Sequence, residues 1–383
     1  VSTTLTNLIP DLYAGLDVVS RELVGLIPAV TLAPDVARAA INQQVRSPVA
    51  PPATATDITP GVTPPDDGNQ TIGNFSMTIT KARRVPIRWT GEQERQAGSG
   101  VGVQNVRVNQ IAQALRTLVN EIESDLADLH VRASRAVGAV STVPFGTAGN
   151  FMDAANCRRV LSDNGAPMSD MHLVLDTAAA ANLRGLQGRQ DIQGDMNLLR
   201  QGVLLDHSGF MIRESGQIKT HTAGTAASAT TNSAGYAVGA REITLASAGT
   251  GTFVAGDIIT FAGDTNQYVV LVGDTDVSNG GTITLAAPGL RVAIPAAATN
   301  ITRLASCRRS MAFSRNALAL ATRLPSLPAE GDLAMDRTVI TDPRSGISFE
   351  VAMYPQYRQM QWEISAAWGV GAPKPEHLAL LIH

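Results

Sequence analysis

The sequence predicts an α+β protein in which a small β-domain is inserted into a larger mixed host. Three observations predict it. The stretch from Thr222 to Thr302 is built almost wholly from Ala, Gly, Thr, Val and Ile, and reads as short strands separated by turns. Between Val103 and Val137, the residues Val108, Ile111, Leu115, Leu118, Ile122, Leu126 and Leu129 follow the 3-4 spacing of a long helix. Elsewhere, alternating strand patterns mix with shorter helical ones. An insertion of this kind requires host chain ends that lie close together on the surface.

The first segment, Leu5 to Val30, has helical spacing, with Leu8, Leu12, Leu16, Val19, Leu23, Leu26 and Ile27 along one side. Pro10 suits a helix start and Pro28 ends the run. Next comes an extended region, because Pro48, Pro51, Pro52, Pro60, Pro64 and Pro65 cannot sit inside a helix. From Ile72 to Thr90, Phe75, Met77, Ile79, Val85, Ile87 and Trp89 alternate with polar residues. That pattern predicts a long hairpin whose strands join near Lys81–Arg84. An isolated two-stranded ribbon is marginal in water, so it needs a neighbour to lie on.

The long helix is preceded by Gly98, Gly100 and Gly102 and followed by Gly138. Roughly thirty residues at ~1.5 Å each make a rod of about 50 Å. Beyond it, Asn156–Ser162 reads as a helix end, His172–Asp176 as a buried strand, Ala178–Leu186 as a helix, Arg189–Asn197 as a loop and Phe210–Ser215 as a strand. Within the insertion the expected strands are Glu242–Ser247, Asp257–Ala262, Gln267–Gly273, Thr282–Ala287 and Arg291–Ala296. The host resumes at Leu304, with a strand and its approach over Ser310–Leu324. Val339–Ile340 and Ile347–Val351 flank the turn Thr341-Asp342-Pro343-Arg344-Ser345-Gly346. Met360–Trp368 and Leu378–Ile382 read as the last strands.

At 383 residues the chain can make two or three domains. An apolar fraction of 44% supplies a core, but aromatics at 4% leave the packing to small aliphatic side chains. A formal net charge of -3 disfavours a sequence-specific DNA binder, which would be basic. Cys157 and Cys307 are too few for a disulfide framework and form no zinc spacing, so buried, reduced thiols in a cytoplasmic protein are expected. No targeting segment is visible at Val1–Asp11, and no run approaches the ~18 apolar residues of a membrane span. The Asn-x-Ser/Thr triplets at Asn69, Asn74 and Asn300 therefore read as chance matches rather than glycosylation sites.

No chemistry-bearing motif in the sequence is complete. Gly98-Ser-Gly-Val-Gly102 opens a helix but lacks the Gly-Lys-Ser/Thr ending of a phosphate loop, so a hinge is expected. Asp274 to Gly280 resembles a calcium loop only faintly, since Leu285 stands where the acidic twelfth ligand belongs. The six histidines form no metal-ligand spacing. Asp206 and His207 are the one candidate catalytic pair, without a nucleophile elbow beside them. No catalytic, cofactor-binding or metal residue is assigned. Lys81, Arg83, Arg84, Arg88 and Arg95 cluster with Glu92 and Glu94. They read either as a solvated charged ribbon or as a contact surface for a carboxylate-bearing neighbour, to which arginine forks are suited.

Three stretches then carry a resemblance. They are Glu242-Ile-Thr-Leu-Ala-Ser with Gly256-Asp-Ile-Ile-Thr-Phe-Ala-Gly263, Ser310-Met-Ala-Phe-Ser-Arg-Asn-Ala-Leu-Ala-Leu-Ala321, and Trp368-Gly-Val-Gly-Ala-Pro-Lys-Pro-Glu-His377. Together with the order of parts, they resemble the major capsid proteins of tailed bacteriophages with the Hong Kong 97 fold. The similarity is nearest to short-tailed Salmonella-type phage coat proteins that carry an insertion domain. The resemblance covers most of the chain.

It implies an N-terminal arm over 1–47 and an extended loop over 48–100. A peripheral domain with the spine helix spans 101–140 and 335–362. An axial domain spans 141–221, 303–334 and 363–383, and the inserted β-barrel spans 222–302. It also implies self-assembly through hexamers and pentamers into an icosahedral shell around double-stranded DNA, without enzymatic activity, cofactor or membrane. The implied partners are a scaffolding protein, a portal and decoration proteins, and the implied location is the virion, after assembly in the bacterial cytoplasm. Lys81, Arg83, Arg84, Arg88, Glu92 and Glu94 would touch a neighbouring subunit, with Asp342 and Arg344 near contacts between capsomers. Capsid proteins with a fused scaffold begin with a long charged helix. None is visible here, which implies a separate scaffold or a segment already removed. An encapsulin-like cellular shell stays open as an alternative, as does a cytoplasmic hydrolase using Asp206 and His207.

Overall fold

A computed structural model describes the chain except residues 1–12, 17–24, 50–54, 59, 64–68, 70, 99–102, 148–149, 188–203, 205 and 344. In chain order the host begins with β1 (Thr31–Ala39), β2 (Gln44–Val49), β3 (Gly73–Thr78) and β4 (Lys81–Thr90). Helices α1 (Gly91–Gly98) and α2 (Val103–Ala127) precede β5 (Arg135–Gly138) and α3 (Met152–Asp163). Then come β6 (Met171–Leu175), α4 (Thr177–Gln187), β7 (Phe210–Glu214) and β8 (Thr220–His221). The stretch read as an insertion carries β9 (Glu242–Leu245), β10 (Ile258–Phe261), β11 (Gln267–Val272), β12 (Gly281–Leu285) and β13 (Ile301–Arg303). The chain closes with β14 (Cys307–Ser314), β15 (Ala319–Pro325), β16 (Asp336–Thr341), β17 (Ser348–Gln356), β18 (Gln359–Gly371) and β19 (Leu378–Ile382).

The first sheet runs β1-β15-β18-β17-β16, with β4 also on β18. β18 is 13 residues long and organises it. One edge pairs antiparallel with β4 from Gln359↔Thr90 to Trp368↔Lys81. Its other edge is shared, with β17 taking Gln359–Ser365 and β15 taking Ala367–Gly371. Helix α2 lies across this sheet. Its periodic residues Ile111, Leu115, Leu118, Ile122 and Leu126 are buried with Ile364 and Trp368 in one core. The helical periodicity read from the sequence thus delivers its apolar face to the sheet. Gly369 is required where β3 ends, because a Cβ there would stand 2.1 Å from the Thr78 carbonyl oxygen.

The second sheet has eleven strands along the path β13-β10-β11-β5-β19-β14-β6-β7, with β12 on β11, β9 on β12 and β8 on β14. Every residue of β19 is buried, as a central strand with both faces covered requires. A second core joins α3 and α4 to it through Cys157, Leu161, Ala180, Leu183, Leu173 and Leu381. Strands β9 to β13 enclose a core of their own, including Ile243, Phe253, Ile259, Val270, Ile283 and Leu290. This unit is not held by its linkers alone. β11 pairs with the host strand β5 through Gln267↔Ala136 and Tyr268↔Arg135, so one sheet runs through both parts.

Three readings of the sequence are corrected, and a fourth lies largely outside the described residues. The Ile72–Thr90 hairpin does not form, because β3 pairs with β2 while β4 pairs with β18. Alternation specified both strands, but alternation cannot name a strand's partner. The long helix ends at Ala127 and passes through a 3-10 turn, Asp128–Arg132, before the chain turns into β5. Its length is therefore about 37 Å rather than 50 Å. Arg291–Ala296 makes no strand and contributes one isolated bridge, Ile294 with Tyr236, whereas Ile301–Arg303 is a strand that was not anticipated. At the N-terminus, Tyr13–Leu16 is helical and Ile27–Ala29 forms a 3-10 turn, but most of the helix expected over Leu5–Val30 lies outside the described residues.

Glu123 fixes that N-terminal turn to the middle of the fold. Its buried carboxylate accepts hydrogen bonds from the Leu26 N–H at 2.6 Å and the Ile27 N–H at 3.2 Å. Burial pushes the Glu123 carboxyl above its ordinary pKa, against the pull of these donors. Gly25 is needed beside it, since a Cβ there would sit 1.6 Å from Oε1. Glu123→Ala strands two buried donors, and the expected cost is about 1–3 kcal/mol of unfolding free energy. The measurement is the urea midpoint at unchanged slope. An unchanged midpoint would show that this contact does not hold the turn.

Candidate assembly surfaces

Three exposed regions are candidates for contact with other molecules, and the first is the β2–β3 ribbon. Its register runs from Gln44↔Thr78 to Val49↔Gly73. At its base, Met77 and Ile79 are buried against Ala319, Ala321 and Ala367 of the first sheet. Toward the tip the environment changes. Each described residue from 55 to 74 is exposed. Ile58 is 98% exposed, and Val62 and Ile72 are also open to solvent. Apolar side chains held out in this way gain nothing from the fold that carries them.

The second region is the basic strand β4 with α1. Here the structure finds partners inside the chain for residues expected to meet a neighbour. Lys81 Nζ lies 3.2 Å from Glu121 Oε1 and 2.7 Å from Asp125 Oδ1. Arg83 Nε reaches the same Glu121 oxygen at 3.1 Å, and Arg84 pairs with Glu363 at 2.7 Å. Burial alone would lower the Lys81 pKa, but Asp125 and Glu121 outweigh it and the net shift is upward. The arginine side chains remain more than half exposed, so these pairs occupy only part of each guanidinium. Arg88, Glu92 and Glu94 are exposed, the two acids in the first turn of α1 where a helix favours negative charge. A cleft of about 730 Å³ opens between α1 and the β17–β18 turn, lined by Trp89, Glu92, Glu94, Arg95, Tyr357 and Met360.

Helix α2 supplies the acceptors through one stripe. Gln110, Thr117, Glu121 and Asp125 fall on a single face. Gln110 Oε1 accepts from the Trp89 indole at 2.7 Å, and Asp125 Oδ2 accepts from the Trp368 indole at 2.8 Å. The i,i+4 spacing of Glu121 and Asp125 could have marked an acidic face on the helix, but nothing in the sequence names the strand it meets.

The third region is the β16–β17 hairpin. Asp342 is fully buried, so it is not a surface contact: its carboxylate accepts from the Ser345 N–H at 3.0 Å and from the Ser345 hydroxyl, and closes the turn. Arg344 lies outside the described residues. Nearby, Glu350 is 3% exposed and accepts from Arg38 at 2.6 Å and from Arg337. Arg337 also pairs with Asp332 and, with a hydrogen bond from the Ala334 N–H, holds that carboxyl at about 2. Sequence reasoning missed this network because its members come from β1, the segment before β16, β16 and β17. Leu333 and Met335 are exposed beside it.

The candidate catalytic pair does not assemble as one. His207 stacks on Phe151 at 4.1 Å, and Asp206 accepts from the Ile212 N–H at 3.3 Å. Among the described residues, no group of three or more His, Cys, Asp or Glu is placed to hold a metal ion. None of their helices is long and apolar enough to cross a membrane.

No family model and no curated protein matches the chain. Solved structures do. The mature capsid of bacteriophage PhiM1 is similar at 11% identity and TM-score 0.48, covering 92% of this chain and 85% of that one. The virus-like particle from Pyrococcus furiosus is similar at 10% identity and TM-score 0.46, covering 97% and 98%. The SrpI encapsulin complex from Synechococcus elongatus is similar at 10% identity and TM-score 0.40, covering 93% and 85%.

Asp125 joins β4 and β18 to the helix at once. Asp125→Ala removes both bonds, with an expected loss of about 1–3 kcal/mol, while Asp125→Asn keeps an acceptor for Trp368 and loses about half as much or less. Denaturant melts of the two variants test this. Equal losses would show that the indole bond contributes nothing.

Proposed function

We propose that the chain is a shell-forming structural protein, the major capsid protein of a tailed bacteriophage, with the Hong Kong 97-like layout that its sequence resembles. The observation that carries this is the β2–β3 ribbon. A segment whose described residues from 55 to 74 are all exposed, with Ile58, Val62 and Ile72 among them, is built for a surface that its own chain does not offer. Copies of the chain supply that surface when subunits tile a shell. Weak contacts repeated over many copies hold a closed particle that no single contact could hold.

The remaining parts take the roles the resemblance implies. Helix α2 is the spine of a peripheral domain that includes β16 and β17. The second sheet, with α3 and α4, forms the axial domain at the centre of hexamers and pentamers. The unit over 222–302 stands on the outer surface. The near-neutral charge lets the inner face meet packaged double-stranded DNA without clamping it. Scaffolding and portal proteins, and possible decoration proteins, complete the list of proposed partners, and the site of action is the virion after assembly in the host cytoplasm.

Charge reversal of Arg83 and Arg84 cannot test this cleanly, because it would also set like charges against the chain's own Glu121 and Glu363. The ribbon tip can. Ile58→Asp combined with Val62→Asp is expected to leave the thermal midpoint of the monomer within about 2 °C, since exposed positions shift stability little. Negative-stain microscopy should then show closed particles for the unaltered chain, supplied with scaffold where needed, and none for the variant. Normal particles from the double variant would remove the ribbon from the assembly surface. A persistent monomer from the unaltered chain would remove the shell itself. Nucleic acid inside the particles distinguishes a virion from a cargo-filled cellular compartment.

A further inference from the structure

A buried chain of titratable groups sits where the unit over 222–302 joins the host. β8 and the start of β14 are the two strands entering and leaving that unit, and they pair through His221↔Cys307 and Thr220↔Arg308. His130, on the 3-10 turn that ends α2, faces them. Its Nδ1 is 3.0 Å from the Ala127 carbonyl oxygen, and its Nε2 is 3.3 Å from His221 Nδ1. On the far side, His221 Nε2 lies 3.5 Å from Asp257 Oδ1. The Asp257 carboxylate also accepts from the Gly224 and Val254 N–H groups at 3.0 Å and 2.9 Å. The buried Arg309 donates to the Gly256 carbonyl next to this chain. Asp128 and Lys219 line the small cavity, about 170 Å³, that His130 and His221 share.

Donor and acceptor rules assign the protons. A carbonyl only accepts, so His130 carries its proton on Nδ1 and presents a lone pair at Nε2. His221 must then donate from Nδ1. Its Nε2 faces the Asp257 carboxylate. A proton added at His130 Nε2 would point at the His221 N–H, with Arg309 nearby.

We propose that His130, His221 and Asp257 form an acid-released latch: a proton on His130 Nε2 breaks the His130–His221 contact and lets β8 peel away from β14 while both sheets stay folded. β8 is suited to this, since it is two residues long and pairs only with β14. The unit beyond it stays attached through β11 and β5, where Arg135 donates to Asn266 at 2.8 Å and Gln267 to the Gly138 carbonyl at 2.9 Å. Burial first, then Arg309 and His221, hold His130 down at about 4, against the Ala127 carbonyl. The sign follows. Closure favours the neutral ring, so the latch weakens as pH falls from the ordinary histidine value of 6.5 toward that held-down value.

The chain carries its own reporters. Cys307 is buried at the latch, and Cys157 is buried in the α3 core away from it. Pulse labelling of the unaltered monomer with a dithiodipyridine, which reacts at acid pH, reads both by mass spectrometry when normalised to free cysteine. Between about pH 7.5 and about pH 5, Cys307 labelling should rise by about tenfold or more while Cys157 stays within about twofold. In His130→Gln, which keeps an acceptor but cannot gain the proton, the rise should shrink to about twofold or less. Labelling of Cys307 that ignores pH would overturn the latch, as would a parallel rise of both cysteines, which means global unfolding. A full acid step in a folded His130→Gln protein would also overturn it. If that variant does not fold, the comparison of the two cysteines in the unaltered chain decides alone.

Discussion

A β-strand has two edges, and β18 must serve three partners with them. It does so by length. Ten residues on one side take β4, while the other side is divided between β17 and β15. Much of the host follows from this allocation. β4 is paired along its whole length with β18, and its other edge takes no strand among the described residues. β3 pairs with β2 instead, and the two form a ribbon with no third strand. Helix α2 then crosses β18 and β4 together, and its polar stripe is spent on holding them: Gln110 on Trp89, Glu121 on Lys81 and Arg83, Asp125 on Lys81 and Trp368. The exposed tip and the internally paired arginines both follow from which strands pair, β3 with β2 and β4 with β18.

That decision marks the boundary of what the sequence could tell. Periodicity specified the apolar face of α2 and the positions of β3, β4, β6, β7 and β16 to β19, because period and burial are local properties, but it merged β14 and β15 into one strand over Ser310–Leu324. The turn at Asp342–Gly346 was legible from its residue types, and the structure adds the reason: Asp342 spends its carboxylate on Ser345. Pairing is not local. Nothing near Lys81 announces that Trp368 lies opposite it. For the same reason the basic cluster looked like a surface in need of a neighbour, when half of that need is met by Glu121, Asp125 and Glu363 in the chain itself. The helix end was misplaced because Leu129 and Val131 continue an apolar pattern through a 3-10 turn, which keeps the pattern while breaking the α-helical ladder.

The attachment of the 222–302 unit was also legible only in outline. Composition marked the change at Thr222, yet the strand that fuses the unit to the host, β11, looks like its neighbours in sequence. Fusion through a sheet has a mechanical consequence. Force or motion applied to the unit passes through β11 and β5 into β19 and β14, the buried middle of the second sheet, rather than ending in flexible linkers. The seam at β8 is the exception. β8 pairs through two residues, with the His130–His221 contact and the flanking Lys219–Ser124 and Ala223–Ser306 hydrogen bonds beside it, so compliance at this joint centres on one short strand.

The edges of the first sheet show a related economy. β1, β16 and β4 each pair with a single strand, and an open edge invites pairing with any other strand. The β1 and β16 edges are made selective by charge and shape rather than by apolar cover. β1 carries Pro34, a register shift before Arg38, and a run of exposed residues. Arg38 and Arg337 reach inward from the two sides to the buried Glu350 of β17, which would otherwise be an unpaired charge in a core. Burying one carboxylate between two guanidiniums ties both edge regions to the same interior point. Indiscriminate strand addition is thereby disfavoured, while the β2–β3 ribbon, the one two-stranded element among the described residues, keeps its apolar tip outside. If the chain tiles a shell as proposed, it needs both properties at once: edges that refuse casual partners, and one projecting element that accepts a specific one.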